Sequence, residues 1–210
     1  MIKKKRRNPK PSTTKVLLRI LGIDLSITST GYCIMDMKGV VKIGSIKTKP
    51  NKASFDPWDD QSRYIRVVKP LIGFIDAYKI QKIFIEAPAF GAFDMSGRQA
   101  MLRGVFMQEL YEYVHGHRAK NIVGLYPVNI APTKLKKFIT GTGTAKKNLM
   151  GESIRRRFPI ELQNVSFTND DEIDAYCLAK FGQVSILVST GKVDIKTLPK
   201  FQQQALKGFY

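Results

Sequence analysis

Four carboxylates occupy positions from which they can act together. Asp24 closes a short apolar run, VLLRILGID over residues 16–24, and Glu86 closes another, KIFIE over residues 82–86. Asp171 and Asp174 lie three residues apart in a helix-patterned segment, which puts both on one face with Cβ atoms about 5–6 Å apart. Leu178 and Phe181 continue that face and turn it toward a sheet. If the two acid-terminated strands are neighbours, Asp24 and Glu86 stand side by side. Like charges that close raise one another's pKa unless a cation sits between them. Hard oxygen donors without a His or Cys cluster point to Mg²⁺, with Mn²⁺ as a substitute. Two such ions about 4 Å apart clamp the attacking water and the leaving 3′ oxygen in phosphodiester cleavage. Each acid also has a plain reading. Asp24 suits a turn before Ser26, Glu86 suits a basic neighbour, and Asp171 and Asp174 suit a helix N-terminus. It is the ordered set of four that points to a metal site.

The elements that must hold these acids follow from patterning. The run over 16–24 reads as a buried strand, and the alternating segments 31–36 and 40–46, separated by Lys38-Gly39, extend it into an antiparallel meander. Residues 59–78 carry apolar side chains at helical spacing (Ile65, Val68, Ile72, Ile75), with a kink expected at Pro70. The strand over 82–86 follows, then a loop. A helix over about 98–115 has Leu102, Val105, Phe106, Leu110 and Tyr113 inside, and a fifth strand is expected over 121–126. Pro132 suits the first position of a short helix to Ile139. A turn over 141–144, a basic helix over about 145–157 and a last helix from about Asn169 to Val188 complete the order. Asn169, with Glu172 three residues on, is the expected N-terminal cap. The final 20 residues show weak patterning. The fold class expected is α/β, one mixed sheet with helices on both faces. Its divisions are a basic flexible tail over 1–15, a domain over 16–188 and a C-terminal extension over 189–210.

Charge narrows the partner. The 210 residues hold 35 Lys plus Arg against 17 Asp plus Glu, a net charge of +18. Setting aside the seven basic residues among the first 15 still leaves 28 against 17, so the excess is not confined to a tail. A pI near 10 fits a polyanionic partner, nucleic acid first. An apolar share of 43% supports a real core and excludes disorder over the whole length. No apolar run reaches the roughly 18 residues of a membrane span. Two cysteines form no disulfide framework, and no signal core follows the basic N-terminus. The expectation is a soluble protein of a reducing compartment, with no membrane partner and no small-molecule cofactor.

The chain resembles the RuvC family of Holliday junction resolvases, within the ribonuclease H-like nucleases, over about residues 16–185. Residues 21–32 (LGIDLSITSTGY) look like the family's opening motif and 83–86 (IFIE) like its second. Residues 98–104 (RQAMLRG) sit where the family has a helix rich in small residues. Residues 132–147 (PTKLKKFITGTGTAKK) are similar to its basic segment, and 171–179 (DEIDAYCLA) to its closing helix. The resemblance implies a ribonuclease H-like five-stranded sheet, antiparallel meander plus parallel strands. It implies that Asp24, Glu86, Asp171 and Asp174 are the metal-binding, catalytic acids and that Lys136 and Lys147 contact the scissile strand, Lys147 within the catalytic set. Arg98, Lys134, Lys137 and Lys146 join them as DNA contacts. An aromatic entering the junction centre corresponds to Phe90, with Phe93 a rival. The implied activity is paired, Mg²⁺-dependent cleavage of four-way junctions or other branched DNA by a homodimer in the cytoplasm, with 5′ phosphates and 3′ hydroxyls left. Compactness and divergence suggest a phage-type member, acting in the host cytoplasm. Three alternatives stay open: a non-catalytic branched-DNA-binding protein, a nuclease of the same fold acting on flaps or RNA–DNA hybrids, and an actin-like ATPase, for which the chain is short.

Other features are weaker. The 141–144 turn is either a phosphate-facing loop or a plain turn, and it lacks the Lys-Ser or Lys-Thr of an ATP loop. Arg155, Arg156 and Arg157 form either a DNA-facing patch or a solvated helix face. His115 and His117 read as surface residues, and Cys33 and Cys177 as buried thiols. Trp58 suits either a cap on the core or a partner contact. Ser26 has no His–Asp partnership.

Overall fold

The computed structural model describes residues 18–51, 56–88, 96–116 and 125–210, the side chains of Ser96 and Lys147 excepted. Five strands form one mixed sheet: β1 (Ile20–Asp24), β2 (Ser29–Met35), β3 (Val40–Lys47), β4 (Lys82–Glu86) and β5 (Pro127–Ile130). Their order across the sheet is β3-β2-β1-β4-β5. The meander is antiparallel, whereas β1 pairs with β4, and β4 with β5, in parallel. The helices are α1 (Asp59–Ala77), α2 (Ser96–His115), α3 (Pro132–Thr140), α4 (Lys147–Arg157), α5 (Asp170–Ser189) and α6 (Lys200–Leu206), with a short 3₁₀ turn at Ile195–Thr197. The expected α/β class, mixed sheet and neighbouring acid-terminated strands are all present.

The period-two alternation of the strands divides the core in two. Leu21, Ile23, Tyr32, Ile34, Ile83 and Ile85 face a cluster completed by α1 and α2. Ile20, Cys33, Met35 and Phe84 face a second cluster completed by α3, α4, α5 and α6. The second face is the tighter one. A Cβ on Gly22 would lie 2.3 Å from the Ala175 carbonyl oxygen, and one on Gly182 would lie 2.3 Å from the Phe84 ring. Glycine and alanine thus let the α5 backbone rest almost directly on β1.

Several expectations need correcting. The fifth strand is Pro127–Ile130 rather than 121–126, of which 121–124 lie outside the described residues. It pairs only with β4 and so is an edge strand, where a first-position proline leaves no ladder donor missing. In α1 the buried face is Arg63, Tyr64, Val67, Val68, Leu71 and Ile75, while Ile65 is exposed. Arg63 is tolerated inside because Asp60 (3.1 Å), Asp59 (4.0 Å) and the Thr48 hydroxyl (3.2 Å) satisfy its guanidinium. Pro70 lies within α1. The weakly patterned C-terminus forms α6, whose Ala205 and Leu206 are buried in the second cluster. Gln202 donates to the Phe138 carbonyl (3.2 Å), and Phe209 packs edge-on against Phe181.

Candidate active site

Strand parity and strand pairing together place the acids. Asp24 has the parity of Ile20 and Gly22, and Glu86 that of Phe84, so both belong to the face that α5 covers. β1 and β4 run parallel with Ile23 opposite Ile85, so their next residues, Asp24 and Glu86, end neighbouring strands at one edge, about 4.8 Å apart in strand spacing. Gly31 of β2 pairs with Asp24 on the other side. A Cβ on Gly31 would lie 1.9 Å from the Asp171 carbonyl oxygen, so the first turn of α5 sits on the strand position beside Asp24. Asp174 precedes Phe181 by seven residues and shares its flank of α5. Phe181 stacks edge-on against Phe138 of α3 at 5.1 Å, so that flank faces the β4–β5 side. Asp24, Glu86 and the start of α5 that carries Asp171 and Asp174 therefore share the carboxyl edge of β1 and β4, and all four acids are half-buried.

The start of α5 is pinned there. Asn169 caps the helix, its side-chain oxygen accepting from the Glu172 amide (3.0 Å), and its Nδ2 donates to Ser45 Oγ of β3 (2.9 Å). Buried Glu172 accepts from the Thr168 amide and hydroxyl, each at 2.7 Å. Asn169→Ala is expected to cost about 1–2 kcal/mol, since both the cap and the tie to β3 are lost, read as a lower midpoint in urea unfolding.

A basic residue without an assigned role lies at the same edge. Arg103 of α2 donates from Nη1 to the Glu86 carbonyl (3.0 Å) and from Nη2 to Asn129 of β5. Burial lowers its pKa from the usual guanidinium value, offset in part by Tyr126. One turn earlier, Gln99 donates to the Leu25 carbonyl (3.1 Å). The start of α2 thus clasps the chain just beyond both strand acids. The signal in the sequence was an arginine adjacent to inward-facing Leu102, within a motif quoted only for its small residues.

The donor chemistry at this edge fits a hard divalent cation, being carboxylate oxygen without thiol or imidazole. The side chains do not close into a ligand group: among the described residues, no three His, Cys, Asp or Glu side chains could hold a metal ion. The strand ends and the start of α5 put the four acids at a shared edge, and their joint role in holding a cation belongs to the proposal below.

The basic segment is only partly available. Lys134 lies over the Phe209 ring (4.7 Å) and donates to the Lys207 carbonyl (3.3 Å), so its ammonium serves the C-terminus. Arg98 pairs with Asp60 at 2.8 Å. Lys136 and Lys137 are half-buried on α3, and Lys146 is exposed. Lys147 opens α4, but its side chain, like Phe90 and Phe93, lies outside the described residues. The 141–144 turn is a helix cap. Gly141 adopts φ 95°, a left-handed conformation suited to glycine, and its amide bonds the Lys137 carbonyl while that of Thr142 bonds the Thr140 hydroxyl. His115 is exposed and stacks on Tyr111, and His117 lies outside the described residues. Cys33 and Cys177 are free and buried, and burial raises both thiol pKa values. Trp58 is 69% exposed and does not cap the core. The Ser26 hydroxyl meets Thr28 at 3.2 Å, and its amide and carbonyl meet the buried Thr30 side chain, a turn arrangement rather than a nucleophile's.

A mixed sheet of this strand order, with acids at the ends of two adjacent parallel strands and a helix laid across them, defines a ribonuclease H-like α/β domain. Solved structures of the same fold include RuvC and a mitochondrial Holliday junction resolvase, so the expected ribonuclease H-like fold is borne out. Thermus thermophilus RuvC superposes with a TM-score of 0.60 at 14% identity, covering 83% of this chain and 97% of that one. The same protein in complex with a Holliday junction substrate gives 0.60 at 14%, covering 83% and 96%. The yeast mitochondrial Holliday junction resolvase gives 0.55 at 15%, covering 92% and 83%. By sequence, the crossover junction endodeoxyribonuclease RuvC of Synechococcus sp. (strain WH7803) is 25% identical over 169 residues, 79% of this chain and 97% of that protein. No family model matches the chain. No helix among the described residues is long and apolar enough to cross a membrane.

Proposed function

We propose that this chain is a structure-selective DNA endonuclease that resolves four-way junctions or other branched DNA by paired, Mg²⁺-dependent phosphodiester cleavage. The observation that carries this reading is the placement of Asp24 and Glu86 on one face at the ends of adjacent parallel strands, beneath the start of α5. Asp24, Glu86, Asp171 and Asp174 are the residues that would hold Mg²⁺. When bound, the ions supply activation of water and stabilisation of the leaving 3′ oxygen. Lys136, Lys137, Lys146 and Lys147 hold phosphates of the scissile strand and offset the negative charge that builds in the transition state. Arg103 keeps Glu86 in place through its backbone carbonyl. Phe90, or Phe93, would enter the junction, and two copies would supply one active edge for each opposed strand, in the cytoplasm. The net charge of +18 and the resolvases to which the chain is similar support DNA as the partner.

A second reading rests on the basic surface alone, since a net charge of +18 serves DNA binding whether or not the strand is cut. On it the chain binds branched DNA without cutting. A panel of four-way junction, flap, RNA–DNA hybrid and linear duplex, each incubated in Mg²⁺, separates the readings. Symmetric paired nicks on the junction, with affinity falling steeply as salt rises, are expected. Tight junction binding with no nick supports the second reading, and preferential cutting of flap or hybrid reassigns the substrate.

A further inference from the structure

The end of α4 carries three arginines in succession, and each meets a different environment. Arg155 lies over the Phe167 ring at 5.8 Å. Arg157 is held, its Nε donating to the Ile139 carbonyl (2.7 Å) and its guanidinium lying 4.5 Å from the Phe201 ring centroid. Arg156 is exposed. Among the described residues, neither Arg156 nor Arg157 has a carboxylate partner. Both open onto a cavity of about 410 Å³, whose other walls are Phe158, Pro199 and Gln202. Pro199 caps the start of α6, and Gln202 is buried and fixed to the Phe138 carbonyl. The C-terminal segment therefore builds half of a cavity whose other half is two adjacent guanidiniums. The two charges sit close enough that Arg156, together with the larger effect of burial, lowers the Arg157 pKa.

Two like charges with no carboxylate partner among the described residues, beside apolar ring faces, suit a ligand with one phosphate and one flat or ribose-like surface. We propose that this cavity is a second DNA contact, binding a backbone phosphate through Arg156 and Arg157 and packing the adjoining sugar or base on Phe158 and Pro199. The inference rests on the reading that DNA is the partner, and it gives the C-terminal segment a role in binding. The cavity lies about 15 Å along α4 from Lys146, by helical rise, which is about four nucleotides along one strand. It lengthens the basic track rather than repeating it. Arginine suits the task because its planar fork matches phosphate oxygens with paired donors.

The test is anisotropy of a fluorescent four-way junction and of a linear duplex across a salt series, in Ca²⁺ so that binding alone is read. Arg156→Ala is expected to weaken binding about three- to tenfold and to reduce the slope of log affinity against log salt by about one. Arg156→Lys should recover the salt slope but only part of the affinity, since lysine keeps the charge and lacks the paired donors. Arg156 is exposed, so its variants should melt with the parent; Arg157 is avoided because its Nε bond braces α3. Lys69→Ala, an exposed charge on α1, is the control and should leave the slope unchanged. An unchanged slope in Arg156→Ala, or an equal fall in Lys69→Ala, overturns the proposal. If the parent binds DNA through Arg156 but nicks no substrate, the cavity stands and the nuclease reading fails. If it nicks junctions with no dependence on Arg156, the reverse holds.

Discussion

Asp24→Asn is expected to bring junction cleavage down by a hundredfold or more while leaving the fold and the affinity for DNA intact. Asparagine keeps the shape of the side chain and removes its charge. On the proposed reading, Asp24 is the acid nearest to both partners: Glu86 ends the strand on one side, and Gly31, beneath the Asp171 carbonyl, lies on the other. A carboxylate so placed would be among the residues that hold Mg²⁺, and no neighbour can take over its position. Losing about 3 kcal/mol of charge stabilisation, modest for metal-assisted phosphoryl chemistry, corresponds to about a hundredfold in rate. Single-turnover cleavage in Mg²⁺ gives the rate, and junction affinity in Ca²⁺ shows that binding survives. Cleavage at the parent rate would remove Asp24 from the mechanism and the acid edge with it.

The second large effect is structural. Gly31→Ala would set a Cβ 1.9 Å from the Asp171 carbonyl oxygen and 2.4 Å from its carbonyl carbon, both backbone atoms that no rotamer change can clear. The first turn of α5 must lift from β2, at the expense of the Asn169 cap and its tie to Ser45. Overpacking of this kind costs about 3 kcal/mol, at the upper end of its usual range. In a domain of this size that lowers Tm by about 6–12 °C. Activity should fall further than stability predicts, because Asp171 and Asp174 travel with the helix. Gly73→Ala serves as the contrast. It lies in α1 with nothing within 4 Å of the added Cβ, and it should stabilise by up to about 1 kcal/mol. Equal Tm values for the two variants would show that α5 does not bear on Gly31.

Much of this arrangement was legible in the sequence. Short apolar runs ending in Asp24 and Glu86 marked two strands, and the spacing of Asp171 and Asp174 marked a helix face. Asn169 and Glu172 marked the helix start, because capping is local chemistry that a sequence states directly. The misses were non-local. The strand Pro127–Ile130 has only four residues and opens on a proline, so it is less legible than the apolar run before it; a proline in a strand is at home only at a sheet edge or its first position. Helix α6 has too few residues for periodicity to show, and it is held by partners far along the chain, Phe138, Lys134 and Arg157. Arg103 was missed because its partners are a backbone carbonyl and an edge-strand asparagine. The acids' common edge follows from strand order and parallel pairing, which spacing along the chain does not state.

The near contact of α5 with Gly22 and Gly31 also limits how the acids can adjust. With its backbone already against two strands, the helix has no travel left in the direction of the sheet. A closer approach of the α5 acids to the strand acids must then come from rotation about side-chain bonds. Aspartate offers two such bonds and glutamate three, so Glu86 is the member of the set with the longest and most adaptable arm.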